Sequence, residues 1–220
     1  MPDPMPHTEV SERLLDLDDW TAVDDALHAR FDPPDVPTAA RLLAAVLEVA
    51  EEMDHHPDAD LRWRRLRFRV TSHDAGGVTP RDFRLARAIS RLAREHGARA
   101  MDAAPTVVEV GIDTTDAGRI RGFWAAALGL EDVAADALVL QDAERLGPRV
   151  WFQVSDGPAT GRNRVHLDVS VPTPQDAAER GAAIEAAGGE LADDTHAPAW
   201  WVYRDADGNE ACICTPFGRA

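Results

Sequence analysis

The sequence has 220 residues, 45% of them apolar, and carries 39 acidic against 23 basic side chains for a formal charge of −16. The apolar fraction can support a core in one large domain or two small ones. The charge excludes nonspecific nucleic-acid binding and attraction to an anionic membrane surface, and because no lysine occurs, Schiff-base chemistry is excluded as well.

No apolar run approaches the roughly 18 residues of a membrane span, and the N-terminus "MPDPMPHTEV" has neither the basic nor the apolar region of a signal peptide. The cysteines are Cys212 and Cys214, spaced i, i+2, so pairing them would strain the backbone and no disulfide framework is expected. A reducing cytoplasm is the expected compartment.

In chain order, Ser11 to Asp16 reads as a short helix and Trp20 to Phe31 as one or two strands. Pro37 opens a helix with apolar Leu42, Val46, Val49 and Met53 at helical spacing, and "HHP" is expected to break it. Next comes a strand in which Leu66, Phe68 and Val70 alternate with Arg65, Arg67 and Arg69. After the turn "HDAGG", Thr79, Pro80 and Asp82 form an N-cap, N1 and N3 set for a helix bearing Leu85, Ile89 and Leu92. That helix ends at Gly97. Small and polar residues follow to Pro105, and a β-rich pattern starts at Thr106, which predicts two domains, 1–100 and 106–220. The second contains a weak repeat. "VVEVGIDTTDAGRIRGFWAAALGLE" and "RVHLDVSVPTPQDAAERGAAIEAAGGE" each read strand, turn, helix, glycine, and short strands follow each. The fold class is α+β, with the second domain built as βαβββ twice.

His55, His56 and His73 fall within nineteen residues. His73 has the parity of Arg67 and Arg69, so it lies off the core side at a strand end, where catalytic groups commonly sit. Imidazole can give and take protons near neutrality. Two other readings stay open on spacing alone. Adjacent histidines seldom share a zinc ion and no cysteine is near; or His55 and His56 are exposed turn residues and Asp82 is only a capping acid.

The ordered pattern Glu51-x3-His55-His56-Pro57-x5-Trp63-x9-His73-x8-Asp82, with "AEEMDHHPD" and "HDAGGVTPRD" around it, resembles the signature of pterin-4a-carbinolamine dehydratases over roughly residues 10–98. The resemblance implies an antiparallel four-stranded sheet backed by helices, usually a homo-oligomer. It also implies dehydration of a 4a-hydroxytetrahydropterin to the quinonoid dihydropterin. Water leaves the carbinolamine carbon while a ring nitrogen loses a proton, which needs an acid and a base but no cofactor. By the same resemblance His55 and His73 form the acid/base pair and His56 holds the pterin. Glu51, Pro57, Trp63 and Asp82 would line or orient the substrate site. The segment "ARFDPPDVP" is more proline-rich than the family pattern.

In the second domain parity places Glu109 and His166 away from the helix-packed side. Trp151 and Gln153 share one strand face, as do Cys212 and Cys214. If the halves face each other, Glu109, Gln153, His166 and Cys212 line one cleft. "GFWAAALGL", "RVHLDV" and "DADGNEACIC" resemble the vicinal-oxygen-chelate superfamily of glyoxalase and bleomycin-resistance-like proteins. Catalytic members hold a divalent metal at four equivalent strand positions, which here carry Glu109, Gln153, His166 and Cys212. That set implies at most a weak metal site in a cleft for an unidentified small molecule. Two rival functions follow: a non-catalytic ligand-binding or regulatory protein, and a metal-dependent lyase or dioxygenase in the second domain.

Overall fold

The computed structural model describes residues 3–23, 25–101, 108–132, 138–155 and 166–218. The chain divides into two compact units, residues 1–107 and 108–220. Of the expected linker, residues 102–105 lie outside the described residues, as do Thr106, Val165 and Ala137, where the sequence suggested the start of a short strand. Among the described residues no helix is long and apolar enough to cross a membrane.

The first unit opens with α1 (His7–Leu14), β1 (Trp20–Val23) and β2 (Ala26–Asp32). The first helix starts four residues before the sequence suggested. Asp35, not Pro37, begins α2 (Val36–Glu52): its side chain accepts from the Thr38 amide, and the proline occupies an early position that needs no donor. The hairpin β3 (Asp58–Arg62) and β4 (Arg65–Val70) follows, then α3 (Pro80–Glu95) and β5 (Arg99–Ala100).

The strands run in the order β1-β2-β4-β3, all antiparallel, with β5 pairing the end of β2. The sheet therefore has one short strand beyond the expected four. β3 had no signal in the residues because it is a polar edge strand, exposed along nearly its whole length. One sheet face carries Leu27, Ala29, Phe31, Leu66, Phe68 and Val70 into a core closed by α2 and α3. Each fully buried leucine or phenylalanine there contributes about 1.5–3 kcal/mol of transfer free energy.

The second unit is two βαβββ modules. The first comprises β6 (Glu109–Thr114), α4 (Ala117–Leu128), β7 (Glu131–Asp132), β8 (Val139–Gln141) and β9 (Arg149–Val154), ordered β6-β9-β8-β7. The second comprises β10 (Leu167–Ser170), α5 (Pro174–Ala186), β11 (Glu190–Asp193), β12 (Trp200–Arg204) and β13 (Glu210–Cys214), ordered β10-β13-β12-β11. In each module the first and last strands pair in parallel. The modules share one core in which Ile112, Phe123 and Phe152 meet Ile184, Tyr203 and Ile213. The Trp124 indole N–H also donates to Asp205 Oδ2 at 3.0 Å.

Candidate active site

His55 is positioned by the way α2 ends. The helix stops at Glu52, five residues before Pro57, so the proline is not what breaks it. Asp54 adopts φ +48°, its N–H donates to the Glu51 carbonyl, and the His55 N–H donates to the Ala50 carbonyl, each at 3.1 Å. These two bonds are the Schellman closure of a helix, with aspartate in the left-handed position that glycine usually fills.

His55 is 9% exposed, and its Nε2 lies 2.8 Å from Oδ1 of Asp82, which is fully buried. Asp82 is the N3 residue of α3 and completes the expected capping box with Thr79. Its Oδ2 accepts from the Thr79 amide at 2.6 Å, the Ser72 hydroxyl at 2.7 Å and the Thr79 hydroxyl at 3.1 Å. The Thr79 amide is an obligate donor, so Oδ2 is an acceptor, and Oδ1 is the atom that faces His55 Nε2. A ring held in one orientation by a buried carboxyl group suits proton transfer.

Ser72, which donates to Asp82, immediately precedes His73. The turn of residues 73–76 is closed by an isolated bridge between Ser72 and Gly77. His73 is exposed in it, as its parity predicted. One carboxylate thus ties the loop before β3 to the turn after β4. Asp74 in that turn is ion-paired with Arg81, which holds its carboxyl below the usual range, and a charged His55 acts in the same direction. Among the described residues Arg81 Nε is buried without a hydrogen-bond partner. Nothing in the sequence pattern had singled out Ser72, Asp74 or Arg81.

His56 Nε2 lies 3.0 Å from Glu51 Oε2, both groups exposed, and such pairs contribute only ~0–1 kcal/mol. Pro57 directly precedes β3. Trp63 is not with the histidines: it sits beyond the far end of β3, five residues and about 17 Å of strand away.

In the second unit the structure regroups the expected residues. Glu109 accepts from Arg149 Nε at 2.6 Å. The parallel register sets Gln153 beside Asp113, four residues along the strand from Glu109. His166 and Cys212 do converge, and with Asp168: His166 Nδ1 lies 3.1 Å from Asp168 Oδ1 and 3.5 Å from Cys212 Sγ. Parity could have found Asp168, two residues after His166 and paired with Cys212 across β10 and β13. The corresponding pair in the first module is Gly111 and Trp151. There the indole lies so close that a Cβ on Gly111 would approach it to 2.9 Å. The cleft residues of the two modules are therefore unlike: an indole over glycine in one, a His–Asp–Cys group in the other. Burial, with Asp168 close by, pushes the Cys212 thiol up to about 12.

Two mixed α/β units, one with a buried imidazole–carboxylate pair and one a doubled βαβββ, are the class defined so far. Residues 3–92 match the pterin 4 alpha carbinolamine dehydratase family and residues 109–214 the glyoxalase-like domain family. A Nocardia farcinica protein provisionally named pterin-4-alpha-carbinolamine dehydratase is 43% identical over 86 residues, 39% of this chain and 90% of that protein. A Brucella melitensis crystal structure described as a transcriptional coactivator/pterin dehydratase is 31% identical, covering 41% of this chain and 99% of that one, with a TM-score of 0.40. A glyoxalase/bleomycin resistance protein from Albidiferax ferrireducens is 20% identical, covering 49% of this chain and 95% of that one, with a TM-score of 0.38. The chain belongs to the pterin 4 alpha carbinolamine dehydratase family through its first unit, which is joined to a glyoxalase-like domain.

Proposed function

We propose that the first unit dehydrates a 4a-hydroxytetrahydropterin, with His55 and His73 exchanging the two protons of the reaction. The hydroxyl leaves as water with a proton from the acid, and a pterin ring nitrogen gives its proton to the base. The observation that carries this is the buried His55–Asp82 pair, which orients one imidazole beside the turn bearing another. His56, held by Glu51, supports pterin affinity. His55→Ala and His73→Ala should each slow dehydration of a generated 4a-hydroxypterin by about 10²-fold, the usual worth of general acid–base catalysis. His56→Ala should act mainly on KM. Unchanged rates in both the His55 and His73 variants would sink the site.

For the second unit we infer small-molecule binding between its two modules, and that any divalent ion there is held by His166, Asp168 and Cys212. The spacings of 3.1 and 3.5 Å suit the edges of a tetrahedral zinc shell with bonds of about 2.0 to 2.3 Å. Such an ion would supply Lewis acidity. Loading requires the Cys212 proton to leave, so affinity should be low. Equilibrium dialysis against zinc or cobalt should show weak binding lost in His166→Ala and kept in Glu109→Ala; loss of binding in Glu109→Ala as well would restore the set first read from the sequence.

A further inference from the structure

The first unit's sheet carries a second site at the hairpin end remote from the histidines. A cavity of about 290 Å³ is lined by Arg30, Arg62, Arg65, Arg67 and Trp63, with Asp60 and Leu66 completing it. Register explains the concentration of charge. Arg30 stands opposite Arg67 across β2 and β4, and Arg62 stands opposite Arg65 across β3 and β4. Directly opposed residues share a face, so all four guanidinium stems rise from the side away from the hydrophobic core. Like charges in opposed positions destabilise a sheet, yet two such pairs adjoin here in a chain with 39 acidic residues to draw on. Asp60 stands opposite Arg67 across β3 and β4 and accepts from Arg62 Nε at 2.8 Å. Among the described residues Arg30, Arg65 and Arg67 make no ion pair.

Trp63 adds a second anomaly. It is 89% exposed and holds φ +60°, a region costly for a bulky side chain. Arg64, the other loop residue, fixes the tip through bonds of 2.7 and 3.1 Å to the two carboxylate oxygens of Asp32. The hairpin therefore presents an indole that gains nothing from packing, beside three guanidiniums that form no ion pair among the described residues, with Asp60 opposite Arg67 and the Asp32 carboxylate acting on Arg65. Local strain and charge repulsion together mark a place where stability is given up for a ligand.

We propose that this cavity binds a small planar anion: one or two fused rings carrying a phosphate or carboxylate group. The ring stacks on the Trp63 indole, and the acid group enters the arginine fork, whose geometry matches both oxyanions. The volume lies just under the range for drug-sized small-molecule sites, about 300–1,000 Å³, which suits a ligand of one or two rings. The net charge of −16 disfavours a long polyanion, and a second copy offering the same face would oppose arginine with arginine. The proposal does not rest on the dehydratase reading, because none of its residues is in the histidine site.

Calorimetric titration of the full chain tests it, with guanosine 5′-monophosphate, 2-naphthoate, guanosine and inorganic phosphate in ~50 mM salt. The two ring-bearing anions should be compared for the preferred acid group. At least one should bind about tenfold or more tighter than guanosine and than phosphate, and weaken at ~500 mM salt. Arg67→Gln, Arg30→Gln and Trp63→Gly should each weaken it about tenfold, with dehydration unchanged. The proposal is overturned by any of three results: no binding at millimolar probe, guanosine or phosphate binding as well as the anions, or affinity that survives Arg67→Gln. Loss of self-association or of DNA binding in the variants, in place of loss of anion binding, would assign the face to a macromolecule and equally overturn it.

Discussion

At the scale of single residues, Asp82 divides its oxygens between two tasks. Oδ2 caps α3 and gathers Ser72, while Oδ1 holds His55. Asp82→Asn keeps the volume but replaces one acceptor with a donor facing other donors. The expected loss is about 1–3 kcal/mol in urea unfolding, the cost of a buried group left unpaired, together with a fall of about tenfold or more in dehydration rate. A loss of stability with full activity would leave the residue as a cap and remove its role toward the imidazole. Cys212 gives a second test. Its thiol is pushed up to about 12, whereas a free thiol titrates at ~8.5. The folded state therefore favours the protonated form, and stability should decline as pH rises from about 8.5 toward 12. At pH 8 alkylation of the native protein by iodoacetamide should be slower by about 10²-fold or more than in urea. Rapid modification of Cys212 in the folded chain would contradict the burial that raises it.

At the scale of elements, the two ends of the β3–β4 hairpin are built for different purposes. One end follows the Schellman closure of α2 at Asp54, which delivers His55. The other turns through Trp63 and Arg64 in two residues, the first at positive φ as in a type II′ hairpin. Trp63→Gly should stabilise the first unit by about 1 kcal/mol, because only glycine takes that conformation without cost. A measurable destabilisation in thermal melts would show that the indole packs after all. These elements also show how far the residues alone could be read. The capping box at Thr79, the alternation in β4 and the exposure of His73 were legible, since each depends on local spacing. The true stop of α2 was not, because aspartate in a left-handed position carries no strong sequence signal. Nor was β3, a polar edge strand whose existence depends on pairing with β4.

At the scale of the molecule, the two units own separate cores, with no buried residue common to both among the described residues. A fragment of residues 1–107 should fold, keep its circular dichroism signature and dehydrate within about twofold of the full chain, as expected of a domain with its own core. An unfolded or inactive fragment would make the second unit an obligatory partner. Light scattering on the same fragment checks the homo-oligomer that the family resemblance implies.

The sequence by itself determined the class of fold, the doubled βαβββ, the histidine set and the identity of the α3 cap, because periodicity, capping and motif order are local properties. Only the tertiary structure decided which side chains meet. It joined Asp82 to His55, moved Trp63 away from the histidines and into an arginine cavity, and replaced Glu109 and Gln153 with Asp168 beside His166 and Cys212. The first is set by how α2 ends and α3 begins, the other two by strand register. Parity fixes the face on which a side chain stands but not its position along the neighbouring strand, and two residues of register move a ligand by about 7 Å.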